Sequence, residues 1–238
     1  MKILALDTSS QAASCAWMED GLLMGEFFLN ASLTHSQTIM PMVQSMLDSL
    51  SLCVADADAF AVSCGPGSFT GLRIGIAAVK GMSMVFGKPC VSVSTLEALA
   101  WNLSTHRGVI VPVMDARREQ VYTALFQGDG DSVMRVSEDF ALSFEELANL
   151  TERMDDIMLV GDGAMLCRDF FSSVGRDIPV ASPTLLHQRA GSVGLAAIGI
   201  AQKGGLTNAA ALSPSYLRRP QAERERMERE KNGKDGAN

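Results

Sequence analysis

One stretch of this sequence combines residue types that could hold a phosphate. Cys64-Gly65-Pro66-Gly67-Ser68-Phe69-Thr70-Gly71 places three glycines and two hydroxyls between a short apolar run and a long apolar segment. Glycines at a strand-to-helix turn let backbone N–H groups face an anion, and the helix N-terminus adds a favourable dipole. The loop nevertheless fails both common nucleotide signatures. Thr70 stands where the dinucleotide fingerprint needs its third glycine, and Leu72 follows Gly71 where a Walker loop needs lysine. A tight turn is the competing reading. Asp7 and Asp115 each close an apolar run, and an aspartate there also makes a local Asx turn. The three histidines, His35, His106 and His187, have no second ligand at metal spacing, so a histidine-rich metal site is not expected. Five separated cysteines, Cys15, Cys53, Cys64, Cys90 and Cys167, read as reduced and mostly buried thiols.

Elements must position these residues, and the periodicity supplies them. Ile3–Leu6, Ser14–Met18 and Leu22–Phe28 read as three antiparallel strands. From Ser36 to Leu50 apolar residues recur at helical spacing, with Ser36 as N-cap and Pro41 near the start. Ala59–Ser63 is a strand, Phe69–Phe86 a helix stopped by Gly87, Cys90–Ser94 a strand and Thr95–Leu103 a short helix. The pattern then restarts, because VIVPVMDARREQVYTALFQGDG repeats the layout of ILALDTSSQAASCAWMEDG: strand, Asp, turn, second strand, Gly turn. Further elements are the helix Phe144–Leu150, the strand Ile157–Val160 and the helix Ala190–Gln202.

With 238 residues, 47% of them apolar, the chain can bury a substantial core. Its formal charge of −7 argues against direct binding of naked nucleic acid, which needs clustered Lys and Arg. No apolar run approaches a membrane span, so a cytoplasmic protein is expected. The tail 218–238 is dense in alternating charge and reads as a solvated, frayed helix or as disorder.

Taken together, ILALDTSS, CGPGSFTGLRIGIA, MDARREQVY and PSYLR occur in the order and spacing of the TsaB (YeaZ) family, and the resemblance covers about residues 1–218. It implies an α/β fold of the actin, hexokinase and Hsp70 ATPase superfamily. Two tandem ribonuclease-H-like halves are expected, 1–107 for partner binding and 108–217, followed by the tail 218–238. It further implies a subunit that pairs with TsaD and TsaE to place threonylcarbamoyl on tRNA adenosine, with a homodimer when TsaD is missing and tRNA met only through the complex. TsaD carries the chemistry on an H-x-E-G-H motif; the corresponding stretch here is Thr95-Leu96-Glu97-Ala98-Leu99, with both imidazoles replaced and Glu97 left as a surface residue. No catalytic residue, metal or required cofactor is therefore expected. In active members of the superfamily, aspartates at the positions of Asp7 and Asp115 orient metal-bound phosphate. The resemblance leaves Asp7, Thr8, Ser9, Gly65, Gly67, Ser68, Thr70 and Gly71 as candidates for weak ATP or ADP contact at a subunit junction, with Arg73, Arg117 and Arg118 as the nearby cations. A self-sufficient kinase or ATPase of the same fold is the alternative, and a glycoprotease-like hydrolase a more remote one.

A helix packed on a sheet by one face has no local need of a second apolar face. The segment 69–86 has one, and the segment 36–50 is likewise broadly apolar. The expected partner interface is therefore Ile39, Met42, Val43 and Met46 from the first helix, with Gly71, Arg73, Ile74, Ala78, Gly81 and Val85 from the second.

Overall fold

The computed structural model describes residues 1–31 and 33–217; the charged tail lies outside the described residues. In β1 (Lys2–Asp7) successive side chains serve opposite faces of a sheet, as the period of two requires. Leu4 and Leu6 join a core with Ile39, Val43 and Met46, whereas Ile3 and Ala5 meet Val193 and Ala197. β2 (Ala13–Glu19) and β3 (Leu22–Leu29) extend the sheet antiparallel, and β4 (Ala59–Gly65) and β5 (Cys90–Ser94) extend it in parallel, in the order β3-β2-β1-β4-β5. The helices α1 (His35–Leu50) and α2 (Phe69–Phe86) cover one face.

The second sheet repeats this plan with interruptions. β6 (Arg107–Asp115) pairs antiparallel with β7 (Gln120–Thr123) and β8 (Phe126–Asp129). Val113 faces Thr123 and, three residues back, Ile110 faces Phe126, so β7 and β8 are one broken strand in unbroken register. β9 (Val133–Arg135) and β10 (Phe140–Ser143) flank that strand outside. On the other side of β6 lies β11 (Ile157–Val160), parallel, and an isolated parallel bridge from Leu159 to Val180 stands where β5 stands in the first sheet. α4 (Phe144–Leu150) and α5 (Ala164–Ser173) cover the outer face through Leu147, Cys167 and Phe171.

Between the sheets lie α3 (Thr95–Trp101) and α6 (Ala190–Gln202), and here chain order and packing diverge. α3, drawn from the first half of the chain, sets Leu96 and Leu99 against Ile110, Phe126 and Val160 of the second sheet. α6, from the far end, sets Ala190, Val193 and Ala197 on the first sheet. Thr207 also bridges to Cys90, and Ser215 donates its N–H to the Cys64 carbonyl at 2.7 Å. The expected division at 107 follows the chain; the packing crosses it, because α3 lies between the sheets with Ala98 toward the first and Leu96 and Leu99 toward the second, and α6 from the second half covers the first sheet.

Three local expectations are corrected. Thr34, not Ser36, precedes the first helical residue, and Pro41 sits inside α1, on its exposed side, where water can reach the carbonyl its ring leaves unpaired. By length and apolar content α2 does reach the size of a membrane span. It is the crossover between the parallel strands β4 and β5, with Leu72, Ile76 and Val79 buried. The expectation of free, mostly buried cysteines holds: all five are free and only Cys53 is exposed.

Candidate functional site

The glycine loop begins as an anion cradle should, at a strand end facing a helix N-terminus, but the chain's own backbone fills it. A Cβ on Gly65 would stand 2.1 Å from the Ser215 carbonyl oxygen, one on Gly67 2.4 Å from that of Ser9, and one on Gly71 2.0 Å from that of Thr8. These glycines are required by close approach of protein, and Gly65 and Gly67 also hold positive φ. The N–H of Ser68 donates to the Ser9 carbonyl at 2.7 Å, and that of Gly71 to the Ser68 hydroxyl at 3.2 Å, capping α2. Two donors that an anion would use are therefore engaged.

Asp7 lies beneath the loop and does not line a cleft. It is fully buried, accepts from the Ser9 N–H at 2.9 Å and the Ser9 hydroxyl at 2.7 Å, and accepts from the Ser63 hydroxyl. Burial pushes its carboxyl above the usual range, against the pull of the Ser63 and Ser9 hydrogen bonds. This is the Asx turn, used as a buried brace. Thr8 donates to the Gly71 carbonyl at 2.8 Å, tying β1 to α2.

The open space lies between the sheets, a cleft of about 610 Å³. Of the predicted phosphate residues Ser9, Gly67 and Ser68 line it; Asp7, Thr8, Gly65, Thr70 and Gly71 do not. The opposite wall comes from the second sheet: Asp115, Arg117, Tyr122 and Asp162. Asp162 was not singled out in the sequence, although Val160-Gly161-Asp162-Gly163-Ala164 repeats the strand, Gly-x-Gly, helix layout of the first loop. Burial pushes its carboxyl up to about 6; the Asp115 N–H, 3.2 Å from Oδ1, works against this and the Asp115 charge adds to it. Asp115 folds into an Asx turn with the Arg117 N–H at 2.7 Å, and the Arg117 guanidinium sits 3.1 Å from its carboxylate. Arg117, Arg118 and Glu119 all take left-handed φ without a glycine among them. A bare polyphosphate entering here meets two carboxylates and an arginine already paired with one of them, which disfavours its binding.

The metal-motif positions are occupied by core. Leu96, Ala98 and Leu99 are fully buried, and Thr95 is buried with its hydroxyl unpartnered. Glu97, expected at the helix surface, is half-buried and pairs with Arg135 at 3.8 Å, and partial burial raises its carboxyl despite that charge. Among the described residues no three His, Cys, Asp or Glu side chains converge on a cation position. A serine-hydrolase arrangement does not form around Ser9, because its hydroxyl donates to Asp7. His35 Nε2 lies 2.7 Å from the Ser10 carbonyl oxygen, an acceptor only, so that nitrogen carries its proton there and is no base for Ser9.

The expected docking face needs redrawing. Ile39, Val43 and Met46 are about 1% exposed, and Gly71 is buried too. The three α1 residues are core because the stripe that carries them is the one laid on β2 and β3. Met42, Ile74 and Ala78 are half-buried at its margin. What faces outward is Met40 on α1 and Arg73, Ala77, Gly81, Met84 and Val85 on α2, with Met84 and Val85 each 77% exposed. A Cβ on Gly81 would meet nothing within 4 Å.

Two packed α/β units of one design, with a cleft between them and paired aspartate-bearing turns, make up a two-lobed α/β fold. The activator of 2-hydroxyisocaproyl-CoA dehydratase from Clostridium difficile, 11% identical, shares that fold with a TM-score of 0.51 over 86% of this chain and 97% of its own. YeaZ from Pseudomonas aeruginosa superposes with a TM-score of 0.76 at 27% identity, covering 91% of this chain and 99% of its own. The family model described as TsaD, tRNA N6-adenosine threonylcarbamoyltransferase, matches residues 29–225. The tRNA threonylcarbamoyladenosine biosynthesis protein TsaB of Bacillus subtilis is 33% identical over 73% of this chain and 76% of its own length; that of Escherichia coli K12 is 36% identical over 66% and 68%. The chain belongs to the TsaB (YeaZ) family, within the wider family that the TsaD model describes.

Proposed function

We propose that this protein serves threonylcarbamoyladenosine formation on tRNA as a non-catalytic subunit in the cytoplasm. In this reading it docks a TsaD-type transferase through the outer face of α1 and α2, helps gather TsaE, pairs with a second copy when the transferase is missing, and meets tRNA only within the complex. The observation that carries the reading is the uncovered stripe Ala77-Gly81-Met84-Val85 on a helix whose opposite side is already packed. Small residues at its centre let another helix approach closely, and the flanking Met and Val offer apolar surface worth about 1.5–3 kcal/mol per fully buried side chain. The acidic cleft and self-filled glycine loop speak against unaided nucleotide turnover, so ATP or ADP is expected at most weakly, where a partner supplies cations at the junction.

Val85→Asp leaves the chain folded, since the side chain is exposed, and strands a charge in the seam. Size-exclusion chromatography with light scattering, with and without the transferase, should show pairing weakened about a hundredfold or more. Pairing at wild-type affinity would rule this face out. Calorimetric titration with magnesium ATP separates the kinase or ATPase alternative, which requires tight binding and turnover by the isolated chain. Nucleoside analysis of bulk tRNA after depletion tests the link to the modification without presuming an active site.

A further inference from the structure

Arg73 belongs to two places at once. It stands on the outer stripe of α2, four residues before Ala77, and it also touches Phe69 and Tyr216, which line the cleft. Its guanidinium lies 3.7 Å from the Phe69 ring centroid, and its Nε donates to the Tyr216 hydroxyl at 3.1 Å. Tyr216 stacks on Phe69 with centroids 4.9 Å apart, and Ser215, Tyr216 and Leu217 line the cleft. The segment 213–217 thus crosses the mouth of the glycine loop as a strap. It is anchored behind by buried Leu212, tied at its middle by the Ser215 N–H to the Cys64 carbonyl, and held at its end by this aromatic and cationic stack.

We propose that Arg73 couples docking on α2 to the width of the cleft. This rests on the docking reading above. A helix laid on Ala77 and Val85 reaches Arg73 and strips water from the cation, which then requires a carboxylate in place of solvent. A partner carboxylate that takes the guanidinium draws it from Phe69 and Tyr216, and the strap loses the Arg73 contact at Tyr216. The wall formed by Ser215, Tyr216 and Leu217 then loosens only when a partner is seated.

Hydrogen exchange read at the Ser215 and Ser68 amides of the full chain tests the coupling in two arms. Without a partner, Arg73→Gln should speed exchange at Ser215 about tenfold, the worth of one cation–π contact and one side-chain hydrogen bond. Tyr216→Phe, which keeps the stack and loses the hydroxyl, should speed it a few-fold. Unchanged exchange at Ser215 in both variants overturns the proposal. With the transferase bound, wild-type exchange at Ser215 should rise and that of Arg73→Gln should change little further. A complex of correct mass in which Ser215 exchange is unmoved or slowed also overturns it. No complex at all refutes the docking reading itself and the coupling with it, and light scattering on the same sample tells these two failures apart.

Discussion

The loops Gly65-Pro66-Gly67 and Gly161-Asp162-Gly163 are the same device in the two sheets: strand, glycine, one residue, glycine, helix. Their contents differ. The first is filled by carbonyls of Ser9 and Ser215 and shows the cleft no charged group, only Pro66, Gly67, Ser68 and Phe69; the second packs Gly161 against the Val113 carbonyl but leaves Asp162 at the cleft wall with its proton affinity raised. A glycine loop is therefore no sign of an anion site by itself. What decides is whether the space beside it is already taken by protein backbone.

The contrast can be broken most forcefully at Gly65. Alanine there places a methyl 2.1 Å from the Ser215 oxygen at φ +132, so Gly65→Ala should cost about 3 kcal/mol or more in urea unfolding. A loss under about 1 kcal/mol would mean that the Ser215 strap yields freely and that the loop is not filled in solution. Asp162 comes next. A carboxyl whose folded pKa is raised to about 6 binds its proton more tightly in the folded chain, so folding gains as pH falls through 6 toward the unfolded value near 4, and ionisation costs stability above it. Asp162→Asn cannot ionise. It should be more stable than wild type by roughly 1–3 kcal/mol at pH 8, with the difference vanishing by about pH 4. An equal deficit at both pH values would show instead that the carboxylate is needed where it stands. The smallest effect sharpens the comparison at the neighbouring turn: Arg118→Gly relieves one left-handed residue and should raise stability by ~0.5–1 kcal/mol, measured by thermal unfolding.

Much of this architecture is written locally. The bounds of α2 follow from Ser68 and Gly87, and the strand faces from alternation such as Ile3 and Ala5 against Leu4 and Leu6. The repeat is legible too, and following it one element further would have led to Asp162. The expected partner face takes in core residues because α1 and α2 are apolar on more than one side. Helical spacing groups Ile39, Val43 and Met46 together correctly, yet nothing local says whether that group or the Met40 side meets the sheet. The filling of the glycine loop was hidden for a different reason. Its occupants, Ser9 and Ser215, come from opposite ends of the chain, and their approach is a property of the closed fold.

The placement of α6 on the first sheet carries a consequence for biosynthesis. While the ribosome is still adding the region around Ala190, Ile3, Ala5 and Ala16 have no cover, so the first sheet stays open on one side until α6 has been made. A fragment ending near Arg107 would be half a sandwich, prone to clump, and attempts to express that portion by itself should deliver insoluble material.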